Sequence, residues 1–305
     1  MSDREILTGG SADECFACNY NTFQTVGIAK IIDPASHDEY LILACTQCHH
    51  WVTNPLPTAR ELAELYSVGS LRVLGDGWAH NYASGEEICN VATDDNWVVQ
   101  RTHDLVPGNF LEIGPGDGSL IRKFRELGWN AFGVDPGQYL SDKSIVRSAE
   151  NLPANTTFQV MVLQDILEHT SNPWEELSQY KKYLNSGTRI YMTFPWSESK
   201  EAQKLGANWS MVRPVGHLHY FSKSSAESLL NSIDAKLSTM RIVNLKPSKI
   251  KRAKNLVWLL STFPLQYFRR DVRKNPYRQR LSLLWQSYVS FRSEGDQLYV
   301  EGVIN

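Results

Sequence analysis

The stretch Phe110-Leu-Glu-Ile-Gly-Pro-Gly-Asp-Gly118 decides the fold of this 305-residue chain. It begins as a short apolar strand and continues into a loop with glycine at every second position. A helical pattern follows over residues 119–127, and a second strand over 131–134 stops at Asp135. A strand, a glycine loop, a helix and a strand that ends in an acid make up the first half of a nucleotide-binding βαβ unit. The sequence therefore predicts an α/β fold with a doubly wound sheet.

The glycine loop also indicates which nucleotide binds. Glycines let the backbone approach a ligand at the helix N-terminus, and Asp135 is placed to accept hydrogen bonds from ribose hydroxyls. A dinucleotide-binding loop would have glycine or alanine where this chain has Ser119. Glu112 instead suits a cofactor with a cationic amino-acid end, because a carboxylate there can orient a methionine group. The pattern Glu-x-Gly-x-Gly-x-Gly over 112–118 resembles the first motif of class I S-adenosylmethionine-dependent methyltransferases.

Further segments resemble the same family in their order along the chain. Residues 148–153 are similar to the loop beside the adenine, and 158–163 and 189–195 to the fourth and fifth strands. Residues 217–222 resemble the segment before the sixth helix, and the resemblance covers roughly residues 15–245. The residues that it places at the cofactor are Glu112, Gly114, Gly116, Asp117, Gly118, Asp135, Pro136, Ala149, Glu150, Gln164 and Asp165.

Catalytic candidates follow the predicted fourth strand. In methyl transfer the cofactor supplies the electrophile, and the protein aligns the acceptor and removes its proton. His169, beside Glu168, stands at the carboxyl edge of the sheet and is the first candidate for the base, followed by His217 and His219. Helix capping by His169, and packing by the other two histidines, are the alternatives. Asp165, Glu168 and His169 also resemble the metal-binding cluster of quinone-biosynthesis O-methyltransferases, a string that metal-free relatives share.

Four of the five cysteines form two Cys-x-x-Cys pairs. These are Cys15 with Cys18 and Cys45 with Cys48. Two such turns converge on one ion as a tetrahedral four-sulfur site, and because four thiolates leave no open position, we expect a structural Zn²⁺. A hairpin with strands over 26–32 and 40–43, turning at 33–37, is predicted between the pairs. His49 and His50 are expected to be exposed or to contact the ligands from outside.

A capping box at Thr58 and Glu61 predicts a helix that bridges ribbon and core. Together with the second cysteine pair, it resembles the zinc-ribbon subgroup of sugar and secondary-metabolite methyltransferases. The expected fold is a seven-stranded doubly wound methyltransferase sheet with an N-terminal four-cysteine zinc ribbon and a C-terminal helical insertion before the last strand. The expected segments are the ribbon (1–57), a helical linker (58–108), the Rossmann-like cofactor-binding core (109–245), a basic helical insertion (246–294) and the last core strand (295–305).

The charge of the chain is unevenly distributed. The net charge is −2, but residues 246–280 hold eleven Lys/Arg against one acid, which leaves −12 elsewhere. This basic segment suits a packed helical hairpin with a solvated face, the binding of a phosphorylated acceptor, or contact with an anionic membrane surface. With 42% hydrophobic residues, no apolar N-terminal segment and no stretch of about 18 apolar residues, we expect a cytoplasmic globular protein.

Three functions compete. The leading prediction is methyl transfer to a small-molecule acceptor such as a sugar nucleotide, a glycan or a related metabolite. An RNA methyltransferase is the second, but the positive charge is confined to one segment, so nucleic acid is not the expected partner. The third is a zinc-ribbon binding protein without catalysis, against which the intact Glu112 and Asp135 argue. The oligomeric state and the methylated atom stay open.

Overall fold

The computed structural model describes residues 14–30, 39–57, 62, 92, 94–137, 142–214, 216–243 and 295–305. Four features of the sequence lie outside the described residues: the predicted hairpin turn 33–37, the predicted capping box at Thr58, the fifth cysteine (Cys89) and the basic segment 246–294.

Eleven strands and five α-helices occur in the described ranges. The strands are β1 (Phe23–Lys30), β2 (Glu39–Cys45), β3 (Trp51–Asn54), β4 (Asn109–Ile113), β5 (Asn130–Val134), β6 (Ile145–Val146), β7 (Phe158–Gln164), β8 (Leu184–Pro195), β9 (His219–Tyr220), β10 (Ala235–Val243) and β11 (Gln297–Ile304). The helices are α1 (Trp97–Thr102), α2 (Ser119–Glu126), α3 (Pro173–Ser178), α4 (Lys200–Leu205) and α5 (Lys223–Ser232). None of these helices is long and apolar enough to cross a membrane.

Seven strands form one mixed sheet in the order β10-β11-β8-β7-β4-β5-β6. The strands from β8 to β6 pair in parallel, whereas β11 runs antiparallel to both β8 and β10. Ile113 pairs with Val134 on one side and with Leu163 on the other, so β4, β5 and β7 end at the same edge. The predicted seven-stranded sheet with an antiparallel last strand is thereby confirmed.

Apolar layers cover both faces of this sheet, because successive strand residues point to opposite sides. Phe110 joins the layer under α1 and α2, where its ring stacks on Phe124 with centroids 3.8 Å apart. Leu111 joins the opposite layer, which α3 and α5 cover with residues such as Leu177 and Leu229. Full burial of each such side chain contributes about 1.5–3 kcal/mol. The doubly wound arrangement follows from this alternation.

The ribbon forms a second sheet in the order β1-β2-β3-β9. The predicted hairpin is present, with β1 and β2 paired antiparallel. β3 pairs with β2 and also with β9, through Trp51–Tyr220 and Val52–His219. The fourth strand of the ribbon sheet, β9, therefore comes from the core and lies more than 160 residues after β3 in the chain. The sequence analysis did not predict this pairing.

In the sequence, Asn172 before Pro173 and the later Gly187 are the pattern of a helix that starts at Pro173 and is closed by Gly187, but the observed helix α3 is shorter. Its start is as predicted, since the Asn172 side chain accepts a hydrogen bond from the backbone of Glu175. It ends at Ser178, and Gly187, with φ +87°, lies inside β8 and does not close the helix. The reason is that Thr188 donates to the Phe158 carbonyl, 2.7 Å away, which ties this stretch to β7.

In the sequence, Ser224 and Glu227 have the spacing of a capping box and predict the start of a helix, but the capping box of α5 is formed by other residues. Ser222, not Ser224, is the N-cap, and Ser225 takes the place predicted for Glu227. The Ser222 Oγ accepts from the Ser225 N–H (3.0 Å) while the Ser225 Oγ accepts from the Ser222 N–H (2.9 Å). A second serine can satisfy both backbone donors because the two residues already face each other across the first turn.

Candidate active site and metal centre

The loop between β4 and α2 has a backbone that favours glycine. Gly114, Gly116 and Gly118 have φ of +63°, +54° and +70°, in the left-handed region that other residues adopt with strain. A Cβ on Gly114 would also lie 2.1 Å from the Ile166 side chain. The Asp117 carboxylate accepts from the Ser119 N–H (2.9 Å) at the start of α2. The loop thus delivers backbone close to a helix N-terminus, where N–H groups favour a polar ligand.

Glu112 lies under this loop, with 5% of its surface exposed. Its carboxylate receives a hydrogen bond from the Ile121 backbone in the first turn of α2, but Oε2 has no partner among the described residues. Burial, together with the negative charge of Asp117, raises the pKa of Glu112 well above its usual range. A buried carboxyl with an unpaired oxygen takes up either a proton or a cation. The site therefore fits a ligand with a cationic group.

The two acid-bearing loops beside this one reach the same edge of the sheet. Asp135 follows β5 directly, is half-buried, and accepts from the Gly137 N–H (2.8 Å), while Pro136 is exposed. Further on, Ala149 is buried and its carbonyl accepts from the Tyr183 hydroxyl (2.5 Å), while Glu150 is exposed. A carboxylate held in a tight turn after β5 presents oxygen atoms to ligand hydroxyls at that edge.

Gln164 and Asp165 lie where β7 ends, at the same edge of the sheet. The Trp97 indole donates to the Gln164 Oε1 at 2.8 Å. Asp165 has φ +53°, and its Oδ1 accepts from the Thr193 hydroxyl (3.1 Å) and the Gln297 amide (3.0 Å). These bonds bind the turn after β7 to β8 and β11.

Glu168, His169 and His217 come together just beyond that turn, each with one ligand atom within 4.8 Å of the others. The Nδ1 of His169 donates to the Gly216 carbonyl and that of His217 to the Met211 carbonyl, both at 2.7 Å. Because a carbonyl only accepts, each neutral ring carries its proton on Nδ1 and its lone pair on Nε2. Such rings can take up a proton or bind a divalent metal.

The electrostatics of this cluster favour neutral groups. Burial, with the neighbouring charges of His169 and Arg213, lowers the pKa of His217 well below its usual range. Glu168 is 1% exposed, its Oε2 has no partner in the described part of the chain, and burial with the charge of Asp165 raises its pKa. Asp165 is not a member of the cluster, since its carboxylate is held by β8 and β11. The predicted metal-binding cluster consisted of Asp165, Glu168 and His169. In the structure, His217 and not Asp165 lies beside Glu168 and His169.

A family model described as a methyltransferase domain matches residues 96–238, which include the glycine loop and this cluster. Residues 96–238 form a methyltransferase domain. A tRNA U34 carboxymethyltransferase of Edwardsiella ictaluri (strain 93-146) is 23% identical over 201 residues, 57% of this chain. The chain matches 61% of the length of that relative.

Solved structures similar to the methyltransferase domain include two with bound cofactor. One is phosphoethanolamine N-methyltransferase 2 of Haemonchus contortus with S-adenosyl-L-methionine, at 13% identity, 92% of this chain, 68% of that chain and a TM-score of 0.46. The other is magnesium protoporphyrin IX methyltransferase of Synechocystis with S-adenosylhomocysteine, at 11% identity, 75% of this chain, 88% of that chain and a TM-score of 0.42.

His219 of the methyltransferase domain lies apart from the other catalytic candidates and is fully buried. Its Nε2 contacts the Ser171 carbonyl (3.3 Å) and its Nδ1 contacts the Nε2 of His50 (3.0 Å), so both nitrogens are used. Burial lowers the pKa of His219 to about 4. A ring without access to an acceptor does not suit a general base, so the geometry assigns His219 to packing.

Of the two alternatives predicted for His50, exposure is wrong and contact with a cysteine ligand is confirmed, because its backbone N–H donates to the Cys48 sulfur. The residue is 1% exposed, and its ring Nδ1 contacts the Ser225 Oγ of the methyltransferase domain at 3.2 Å. Its ring lies 5.1 Å from that of Phe221 and 5.5 Å from that of Trp174. Its place two residues after Cys48 was the available signal, because a residue next to a closed cysteine turn is held rigidly.

The ribbon beside the methyltransferase domain brings all four predicted ligands together. The sulfur atoms lie 3.5 Å apart in Cys15–Cys48 and 3.6 Å apart in Cys18–Cys45, and all four are within 4.8 Å of one another. Tetrahedral zinc with Zn–S of about 2.3 Å requires sulfur atoms roughly 3.8 Å apart, so the residues fit that ion. A hydrogen bond between the Cys15 and Cys48 sulfurs lowers the pKa of Cys15 to about 5 and raises that of Cys48.

The two cysteine pairs have the same backbone geometry. Asn19 and His49, which follow the second cysteine of each pair, have φ of +56° and +61°. Their N–H groups donate to the carbonyls of Cys15 (2.8 Å) and Cys45 (3.0 Å). Each turn is thereby closed so that both of its sulfurs face the same point.

Proposed function

We propose that this chain is an S-adenosylmethionine-dependent methyltransferase that acts on a small-molecule acceptor, such as a sugar nucleotide, a glycan or a related metabolite. The observation that carries the proposal is the unpaired, buried Oε2 of Glu112 beneath a loop of left-handed glycines in a methyltransferase domain. An orphaned carboxylate at that position calls for a cationic ligand. The amino-acid end of S-adenosylmethionine provides one.

The residues proposed to hold the cofactor surround the edge where β4, β5 and β7 end. They are Glu112, Gly114, Gly116, Asp117, Gly118, Asp135, Pro136, Ala149, Glu150, Gln164 and Asp165. When bound, the cofactor supplies a methyl group on a sulfonium, which is the electrophile. Glu112 orients the methionine end, Asp135 accepts hydrogen bonds from the ribose, and the glycine backbone admits both groups closely.

His169 is the proposed base, with Glu168 and His217 beside it. The bond from its Nδ1 to the Gly216 carbonyl fixes the ring and leaves the lone pair on Nε2. That nitrogen would take up the proton that the acceptor loses. The burial of Glu168 and His217 keeps charge out of the cluster and water away from the reacting atoms.

A second candidate acceptor is tRNA, because the curated relative from Edwardsiella ictaluri is a tRNA U34 carboxymethyltransferase. The eleven Lys/Arg residues of 246–280 would suit phosphates. We favour the small acceptor because the rest of the chain carries −12, which repels a polyanion.

The test is methyl transfer from radiolabelled S-adenosylmethionine by the purified full chain to a panel of sugar nucleotides and, separately, to total tRNA. Calorimetry with S-adenosylhomocysteine comes first and is expected to show binding. Label in a sugar nucleotide, lost in His169→Ala, supports the proposal. Label in tRNA alone would show that the acceptor is tRNA and not a small molecule. Tight NAD binding without affinity for either adenosyl ligand would overturn the proposed cofactor.

A further inference from the structure

The ribbon strand β3 is hydrogen bonded directly to the segment that carries His217. Thr53 in β3 is fully buried. Its N–H donates to the Leu218 carbonyl (2.9 Å), and its hydroxyl donates to the His217 carbonyl (3.1 Å). The Leu218 N–H in turn donates to the Glu168 carbonyl at 2.6 Å. Two backbone steps therefore connect the ribbon to the turn that holds Glu168 and His169.

A second buried link runs through His50. The Ser171 carbonyl can only accept, so the Nε2 of His219 carries the proton and its Nδ1 accepts from the Nε2–H of His50. The Nδ1 of His50 then accepts from the Ser225 hydroxyl. This chain of donors joins His50, two residues after Cys48, to β9 and to Ser171, two residues beyond His169.

The first cysteine turn contacts the same region. The ring of Phe16, which lies between Cys15 and Cys18, meets the ring of His219 edge-on at 5.2 Å and stacks on Trp174 at 6.3 Å. The Ala17 carbonyl accepts from the Ser228 hydroxyl of α5 at 2.6 Å. Both halves of the four-cysteine centre thus hold the elements that flank the candidate active site.

Besides the bonds of His217 to Met211 and Arg213, the segment 217–220 is held by its pairing with the ribbon. β9 contains only two residues and, within the described ranges, pairs with β3 alone. Such a short strand at a sheet edge has few hydrogen bonds of its own to set its position. The Tyr220 hydroxyl also donates to the His217 carbonyl (2.9 Å), so this carbonyl stays paired if Thr53 loses its donor.

We infer that the zinc ribbon is a positioning element of the active site, in which Thr53 and His50 set the place of His217 and of the Glu168–His169 turn. Thr53 is a positioning residue and touches no substrate. The effect on turnover rests on the function proposed above, whereas the effect on the two histidine rings does not.

The experiment compares Thr53→Val with Thr46→Val in the zinc-loaded full chain. Valine has nearly the shape of threonine but lacks the hydroxyl donor. Thr46 is the matched control, because its hydroxyl donates to the Thr22 carbonyl (3.1 Å) within the ribbon and touches no part of the core. Thr53→Ser returns the donor and should restore the wild-type behaviour.

The first readout is the ring ¹⁵N spectrum of the eight histidines, labelled selectively and assigned by single substitutions. We expect Thr53→Val to shift the ring signals of His217 and His169, while Thr46→Val leaves them in place. The second readout is turnover, with kcat lowered about tenfold in Thr53→Val and the Kd for S-adenosylhomocysteine unchanged.

Unchanged His217 and His169 signals in Thr53→Val would overturn the inference, and so would equal kcat values of both variants when the wild-type chain transfers methyl groups. Shifted signals in a chain that neither binds S-adenosylhomocysteine nor transfers methyl groups would uphold the positioning and reject the proposed function. If Thr53→Val fails to fold, Tyr220→Phe is used instead, because it removes the other hydroxyl that donates to the His217 carbonyl. The ring ¹⁵N signals of His217 should then shift more in Tyr220→Phe than in Thr46→Val.

Discussion

Replacing Glu112 with glutamine removes a charge and almost nothing else. In the protein without cofactor, Glu112 is buried, its Oε2 is unpaired among the described residues, and its pKa is raised by burial and by Asp117. The folded state therefore keeps a proton that the unfolded chain has already released. The free energy of unfolding then falls as pH rises from the ordinary glutamate pKa to the raised one. The variant lacks this fall, so its stability at about pH 8 should equal or exceed that of the wild type.

Cofactor affinity should respond in the opposite sense. The bound ammonium group favours the ionised carboxylate, so binding releases a proton at any pH below the raised pKa. Each pH unit in that range changes Kd by up to about tenfold, or 1.4 kcal/mol. Above it, the carboxylate supplies a charge-assisted hydrogen bond of about 1.5–3 kcal/mol, so Glu112→Gln should weaken binding roughly 10- to 150-fold.

The assay is calorimetry with S-adenosylhomocysteine from about pH 6 to about pH 9, together with melting temperatures for each protein. Buffers of different ionisation enthalpy report the released proton. Glu126→Gln is the matched control, because this glutamate of α2 is exposed and lies 3.7 Å from Lys123. The reasoning fails if Glu112→Gln binds as tightly as Glu126→Gln with the same pH slope. It also fails if affinity and melting temperature collapse together, since Glu112 would then serve the fold.

Three further substitutions test the rest of the site. Asp135→Ala should weaken S-adenosylhomocysteine binding by about 1–3 kcal/mol through lost hydrogen bonds to the ribose, with calorimetry as the check; unchanged affinity would remove Asp135 from the cofactor site. His169→Ala should lower kcat roughly 10²–10⁴-fold and leave cofactor affinity unchanged; a preserved rate with about 1 kcal/mol less stability would mean a capping role. Cys45→Ser should remove one tightly bound zinc per chain, measured by elemental analysis, and unfold the ribbon; wild-type protein purified without chelator and free of metal would contradict this.

Local pattern was enough to predict the central sheet. The strands around the glycine loop can be recognised in the sequence because apolar runs end abruptly at Gly114, Asp135 and Gln164. Their parallel pairing follows from the helices between them. The antiparallel last strand came with the family resemblance, and the sheet order confirms it. The grouping of the four cysteines could be predicted equally well, since their spacing determines which sulfur atoms can converge on one point.

Contacts between distant parts of the chain were not predictable in this way. His50 and His219 are 169 residues apart, and nothing near either residue marks the other as its partner. β9 is too short to give a periodic signal, so its pairing with β3 appears only in three dimensions. Gly187 was misplaced for a related reason, because the bond from Thr188 to Phe158 overrides the local preference for ending a helix at glycine.

The buried polar atoms of this chain separate ligand sites from structural ones. In the described part of the chain, the buried polar atoms left without partners include a carboxyl oxygen of Glu112 beneath the glycine loop, one of Glu168 beside His169, and the indole nitrogen of Trp209 away from both. His50 and His219 are buried as deeply, yet each of their nitrogens has a partner. An unsatisfied buried group costs about 1–3 kcal/mol, and a ligand that binds to it would offset this cost. If the proposed function holds, we expect Glu112 to face the cofactor and Glu168 to face the acceptor, while the paired histidines join the ribbon to that site.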